Sequence, residues 1–328
     1  MNYKKPEKIF WWMKPICNLN CNHCNIGKYT DLNKNKKKSL NKEKKAIRKI
    51  SKWLKKEFKL DFILGEPLLH KNLLKLIKYA KSKDALVSIT TNGTLITKEK
   101  AKEIIESGLD SIYISLDSYN TKIHDSSRGV VGTRNKVFDG IKSLKEIKKE
   151  YKSKTPKVYI NSIIMGDNLD ELVKLVYWVK KNKLNGITFQ PIANPQFFGQ
   201  SNKGYNEKWF KKSKLWPSDI KINMFLKKII KLKKEGYPIK NTLKDIERFK
   251  RYFKDPIKYG INEDNSQEYK SLILMENGSL KLCPADRIIL GNVYKDRLDK
   301  IWKSEKIQEA RIHIKNCKSQ CKILANNN

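Results

Sequence analysis

No stretch of this chain approaches the ~20 consecutive apolar residues that a membrane span requires, and the amino-terminal MNYKKPEKIFWWMKP has neither an uninterrupted apolar segment nor a small-residue cleavage site. Acidic residues are scarce: 34 Asp and Glu stand against 71 Lys and Arg, for a formal net charge of +37. Histidine is rarer still, with four in 328 residues and no H-x3-H or other metal spacing. These shortages argue against a membrane span and a secretory signal. The expectation is a cytoplasmic protein in a reducing compartment, where its six cysteines serve as metal ligands rather than disulfides.

What is abundant is lysine. A charge of +37 creates a field that attracts nucleic acid, anionic membrane or an acidic substrate. The lysines are spread along the whole chain together with many Asn and Ile, which is the pattern of a compositional bias. No RNP-type aromatic pair, zinc finger or separate basic tail supports a nucleic-acid partner. An RNA-binding or RNA-modifying protein is therefore an alternative, not the favoured reading.

From residue 9 to about 192 short apolar runs alternate with longer helical patterns, the signature of repeated βα units. The strand candidates are 9–13, 60–64, 86–91, 111–117, 157–164 and 186–192, and the helix candidates are 40–56, 71–82, 97–107, 132–150, 169–182 and 224–235. Ser39 and Thr97 are placed as helix N-caps, and Gly108 as a left-handed helix stop. Six such units make either an open doubly wound sheet or a partial barrel, and periodicity does not choose between them. The irregular 193–220, rich in Gly, Pro and aromatics, reads as a substrate-side loop. After about 237 the pattern changes to a short helix (242–256), a hairpin (272–283) and a helix (298–314) with Cys317 and Cys321 at its foot. The expected division is 1–236 and 237–328, the second a small domain with little core of its own that holds the other three cysteines, 283, 317 and 321.

The stretch CNLNCNHC, residues 17–24, supplies three soft thiolates within eight residues, which suits iron–sulfur or zinc. A four-iron cluster on three protein thiolates leaves one iron open, whereas structural zinc wants four protein ligands. His23, adjacent to Cys24, points poorly for a fourth zinc ligand. His70 and His124 read as loop residues near the active face and His313 as helix surface. Trp11 and Trp12 alternate faces, so one of them can point inward.

CNLNCNHC is CxxxCxxC with a ring residue before the third cysteine, and here the chain resembles the radical S-adenosylmethionine (SAM) enzymes. Gly65-Glu66-Pro67 in FILGEPLLH is similar to that family's GGEP, with Leu64 replacing the first glycine. TTNGTLI (91–97), SLD (115–117), HDSSRG (124–129) and FQPI (189–192) also resemble the family. The resemblance covers roughly residues 8–235 and implies an α/β fold, a partial (β/α)6 barrel with a small C-terminal β-hairpin plus helix iron–sulfur domain.

It further implies that Cys17, Cys21 and Cys24 bind a [4Fe-4S] cluster whose open iron is chelated by SAM. Reductive cleavage of SAM, with electrons from a flavodoxin or ferredoxin-type donor, gives a radical that abstracts hydrogen from a substrate. Gly65 would allow close backbone approach, the Glu66 region would accept from the methionine ammonium, and Pro67 would fix the backbone. Ser115 and Asp117, two apart on one strand face, would reach the ribose hydroxyls. Arg128 would pair with the methionine carboxylate, and Asn92 and Gln190 would make polar contacts near the cofactor.

The tail, NGSLKLCP with ILGNV, LDKIW and C-x3-C, is similar to the SPASM or shorter twitch domains of the same superfamily. With three cysteines it implies one auxiliary [4Fe-4S] cluster on Cys283, Cys317 and Cys321, its fourth iron open or held by a non-cysteine ligand. The substrate such enzymes suggest is a peptide or protein, matured by crosslinking, epimerisation or oxidation. The alternative is a small anionic or sugar-like metabolite, favoured by a cluster motif that starts at residue 17 with no leader-binding extension before it.

Overall fold

A computed structural model describes residues 4–27, 39–194, 208–262 and 270–325. Six βα units lead the chain: β1 (Lys8–Trp12), α1 (Leu40–Leu54), β2 (Phe58–Ile63), α2 (Leu73–Lys81), β3 (Ala85–Thr91), α3 (Lys98–Glu106), β4 (Ser111–Ser115), α4 (Thr121–Arg128), α5 (Thr133–Glu150), β5 (Lys157–Ile164), α6 (Leu169–Lys181), β6 (Gly186–Pro191) and α7 (Asp219–Lys234). All neighbouring strands pair in parallel, in the sequential order β6-β5-β4-β3-β2-β1. A doubly wound sheet reverses its strand order at a switch point. An unreversed order of right-handed crossovers puts every helix on one face, so the barrel alternative holds.

The side chains agree. Ile9 and Trp11, Leu60 and Phe62, Ile112 and Ile114, Val158 and Ile160 are buried toward the helices, with Trp11 stacked on Phe62 at 5.4 Å. Their strand neighbours, among them Trp12, Ile63, Tyr113, Ser115 and Gln190, are half-buried on the inner face. Helix ends follow local chemistry: the Thr97 hydroxyl accepts from Lys100 N at 3.2 Å at the start of α3, and Gly108 follows its end at φ +76°. Ser39 stands at the N-cap of α1 but makes no side-chain cap bond.

The remaining elements are α8 (Leu243–Lys254), α9 (Pro256–Asn262), the strands β7 (Ser271–Leu274), β8 (Ser279–Lys281) and β9 (Gly291–Asn292), then α10 (Leu298–Trp302), α11 (Glu305–Asn316) and α12 (Lys322–Ala325). Gly236, at φ +78°, lies where the sequence pattern changes, but the sheet and core run across that point. Ile187 N donates to Pro238 O and Lys240 N to Ile187 O, and the Asn241 side chain spans Phe189 N and O at 2.7 and 3.0 Å. At the opposite edge β7 pairs in parallel with β1, and β8 and β9 continue the sheet antiparallel. The tail therefore covers both edges of the six-strand sheet. Leu272, Leu274, Leu280, Trp302, Ile307 and Ile314 belong to the same apolar core as the barrel, so the expected lack of core is corrected.

Two helix expectations also change. The stretch HDSSRG lies largely in α4, and His124 is buried within a helix rather than set on a loop. The buried face of α4 is His124, Asp125, Ser127 and Arg128, which shows no apolar period to read. The expected helix 298–314 is two, broken at Lys303, with Ser304 at the N-cap of the second. Of the irregular 193–220, residues 195–207 lie outside the described residues. Trp216 packs on Tyr252 and Phe253 of α8 at 5.5 and 5.0 Å, so this aromatic of the insertion belongs to the core rather than to a substrate loop.

Candidate active site

The cysteine loop leaves the C-terminal end of β1 and is gripped from two sides. Gly65, at φ +62°, lies so close that a Cβ there would sit 2.2 Å from Ile16 O, while Glu66 N donates to that carbonyl at 2.7 Å. On the other side Asn20 N donates to Arg128 O and Asn22 N to Ser127 O, and a Cβ on Gly129 would meet Asn20 O at 2.1 Å. Only glycine permits this approach of three backbone segments. The turn after β2, the cysteine loop and the end of α4 thus form one packed unit.

Within it Cys21 is buried and Cys17 and Cys24 half-buried, none in a disulfide. The Cys17 sulfur accepts from Leu19 N at 3.5 Å and Asn92 Nδ2 at 3.8 Å, and that of Cys24 from Ile26 N at 3.5 Å. Burial pushes the Cys17 thiol up to about 11 and raises that of Cys21. A metal held by these sulfurs would reverse this, because it would take the thiolate. Among the described residues no three His, Cys, Asp or Glu side chains converge as ligands of a single metal ion. A four-iron cluster instead spreads three thiolates over three irons.

Glu66 is 2% exposed, and both of its carboxylate oxygens accept hydrogen bonds. Oε1 accepts from Leu68 N and the Thr91 hydroxyl at 2.9 and 2.7 Å, and Oε2 from Asn92 N at 2.7 Å. Burial raises its carboxyl to about 7 despite these bonds. Glu66 also caps a 3-10 turn that the buried Pro67 begins. Asn92 in turn donates to Asn18 Oδ1 at 2.8 Å and accepts from Thr94, so the loop after β3 is tied to the cysteine loop. Asn18, Thr91 and Thr94 carried no signal in the sequence beyond their nearness to the motifs.

Asp117 is buried, its Oδ2 2.7 Å from Arg128 and its Oδ1 accepting from Ile163 N at 2.9 Å. Burial alone would raise its carboxyl, but the Arg128 guanidinium, two histidines and the Ile163 amide together hold it below the carboxylate range. His124 Nδ1 accepts from Asp117 N at 3.2 Å. Burial, then the neighbouring Arg128, lowers both His23 and His124 to about 4, so both rings are neutral at pH 7. Around this pair His23 Nδ1, His124 Nε2 and Arg128 Nε are buried without a partner. Arg128 also reaches Cys21. The fold thus gathers Cys17, Glu66 and Asn92 on one side and Cys21, Asp117 and Arg128 on the other. Ser115 and Gln190 lie on the inner sheet face, half-buried.

His70 ends the turn after Glu66 and Pro67 and pairs through Nε2 with the buried Glu43 of α1 at 2.9 Å, which Asn72 also meets at 3.1 Å. In the tail Cys283, Cys317 and Cys321 are half-buried and not disulfide-bonded. Cys283 follows β8, Cys317 ends α11, and Cys321 precedes α12. His313 is exposed on α11, as expected. A cleft of about 390 Å³ lined by Tyr119, Tyr177 and Trp178 lies outside α6 and shares no residue with these groups.

The donor set fits the expected groups: three thiols on one clamped loop, and a buried guanidinium nitrogen left for an anion. The Radical SAM superfamily profile matches residues 13–179, and the SPASM profile, an iron-sulfur cluster-binding domain, matches residues 266–322. Fe-coproporphyrin III synthase of Methanosarcina barkeri is 28% identical over 72% of this chain and 54% of its own length. GTP 3',8-cyclase of Limosilactobacillus fermentum is 36% identical over 40% of this chain and 38% of its own length. The chain thus spans about half or less of these curated relatives. Streptococcus suis SuiB bound to precursor peptide SuiA superposes with a TM-score of 0.64 at 17% identity, over 92% of this chain and 65% of that one. With the cysteine loop, the barrel and the profile match over half its length, this chain belongs to the radical SAM superfamily and carries a SPASM iron–sulfur segment.

Proposed function

We propose that this protein reductively cleaves SAM and uses the resulting radical to abstract hydrogen from a peptide or protein substrate. The observation that carries the reading is the clamped loop, which sets Cys17, Cys21 and Cys24 beside the Glu66–Asn92 and Asp117–Arg128 groups. These thiols would hold a [4Fe-4S] cluster with SAM on its open iron, and together they supply cleavage of the sulfonium carbon–sulfur bond to a 5′-deoxyadenosyl radical.

The chain's own residues bind and orient. Glu66, whose two oxygens accept three internal bonds, holds the loop after β3 against Cys17, and Oε2, with one bond, keeps a lone pair for the methionine ammonium. Asp117 holds Arg128 in place, and the remaining guanidinium nitrogen takes the methionine carboxylate. Ser115 and Gln190 face the barrel interior, where the nucleoside would lie. Cys283, Cys317 and Cys321 would hold an auxiliary cluster in a tail assigned to 237–328, with the SAM-binding barrel in 1–236. A flavodoxin or ferredoxin-type protein would supply electrons.

A peptide substrate is supported by the likeness of barrel and tail together to SuiB, whose structure holds a precursor peptide. A second reading, a small anionic metabolite, is supported by the identity to Fe-coproporphyrin III synthase over 72% of the chain and by the net charge of +37. Anaerobically reconstituted protein with dithionite should form 5′-deoxyadenosine, and the Cys17, Cys21 and Cys24 to Ala variant should form none. Product from that variant overturns the reading. Turnover above the uncoupled rate with candidate peptides, against porphyrin carboxylates, separates the two substrate classes.

A further inference from the structure

We propose that Asp286 is the fourth protein ligand of the auxiliary cluster, completing the set Cys283, Asp286, Cys317 and Cys321. This rests on the reading that the three tail cysteines bind iron–sulfur. Asp286 follows Cys283 in a C-x2-D spacing, CPAD. Two intervening residues are the separation that lets successive ligands reach neighbouring irons of one cluster.

The side chain behaves unlike its neighbours. Ala285, Arg287 and Ile289 are exposed, yet the Asp286 side chain is only 6% exposed. One oxygen explains its local role: Oδ1 accepts from Ile288 N at 3.0 Å and lies 3.3 Å from His313 Nδ1. That turn needs one oxygen only. Oδ2 is buried without a hydrogen-bond partner, and an unpaired buried carboxylate oxygen is strongly unfavourable unless a cation takes it.

The His313 contact says where the carboxylate sits. His313 is four residues before Cys317 on α11, so Asp286 is docked on the helix that delivers the second ligand, and Oδ1 is held while Oδ2 is left for iron. A ligating carboxylate oriented through its other oxygen is the usual arrangement at metal sites. The consequence is an auxiliary cluster with four protein ligands and no open iron. Such a cluster binds no substrate.

The test uses the full-length protein, reconstituted anaerobically, with iron analysis and low-temperature EPR of the oxidised and reduced forms. Wild type should hold ~eight irons, four at each site. Asp286→Ala should lose about one of them and show a three-iron signal on oxidation. Asp286→Cys should keep all of them and shift the auxiliary signal. An Asp286→Ala variant with the wild-type iron count and spectrum overturns the assignment. If Asp286→Ala loses about four irons, Asp286→Cys decides: restored iron with an altered signal supports ligation, and unrestored iron overturns it. Changing Cys283, Cys317 and Cys321 together separates the two levels. Full iron retention there means that no auxiliary cluster exists, whereas a loss of about four beside a wild-type Asp286→Ala removes the carboxylate ligand alone.

Discussion

Leu64 holds φ at +79°, in the left-handed region where a non-glycine residue costs roughly 1–2 kcal/mol. It occupies the position where the family's motif has its first glycine, so the turn keeps its geometry while the residue type changes. Leu64→Gly should therefore be more stable than Leu64→Ala by roughly 1–2 kcal/mol, the opposite of the usual order of these residues. Urea unfolding of both variants measures this, and Ala equal to or above Gly removes the strain argument. Glu66 offers a pH test at the same turn. Its folded-state carboxyl lies at about 7 against 4.5 when unexposed to burial, so its contribution is fully present below pH 4.5 and is lost as pH rises through 7. The loss amounts to about 3 kcal/mol. In cluster-free protein the stability difference between wild type and Glu66→Gln should shift in favour of the variant by up to that amount between pH 4.5 and 8. A difference that does not move with pH would mean that the carboxylate is not strained by burial.

At the scale of elements the tail is a sheet extension before it is a metal site. Because β7 pairs with β1, and Tyr252 of α8 donates to Ile192 O at 2.9 Å, the hairpin and α8 draw stability from the barrel core and not from iron alone. Replacing Cys283, Cys317 and Cys321 by alanine should leave β7, β8 and α8 protected from proteolysis, with new cleavage confined to the segments beside those cysteines. Cleavage throughout 237–328 would show instead that iron holds the tail together. Removal of 237–328 should be far worse, since it uncovers two strand edges and an apolar face. The hairpin itself was legible from Glu276-Asn277-Gly278 between apolar runs. Its partner β1 was not, because local turn chemistry says nothing of a pairing between residues 8 and 271. Helix α4 escaped for a different reason: its buried residues are polar and serve Asp117, Gly132 and Arg134 rather than an apolar core.

Across the whole molecule, the strands were legible because their outward faces carry regular apolar residues, and their sequential order was not, because order is a non-local property. The cysteines and Arg128 were recognisable as a set, while the internal engagement of Glu66 and Asp117 required coordinates. Charge is the global feature that remains. With 71 basic residues against 34 acidic ones, 37 positive charges have no acidic counterpart even if every acid is paired. Several of the ion pairs that do form are exposed i,i+3 or i,i+4 contacts on single helices, such as Lys142–Glu146 and Lys231–Glu235, each worth only ~0.3–0.5 kcal/mol. The excess therefore acts as self-repulsion across the surface, over distances that salt screens beyond ~10 Å at 0.1 M. Raising NaCl from about 0.02 to about 0.5 M should raise the melting temperature, because screening relieves more repulsion than it removes attraction. In parallel, binding to bulk tRNA should fall steeply over the same range without ever saturating at a fixed stoichiometry, as counterion release at scattered lysines predicts. A melting temperature that falls with salt would place the net electrostatic balance on the attractive side. Saturable tRNA binding that persists at the higher salt would give the charge a nucleic-acid partner.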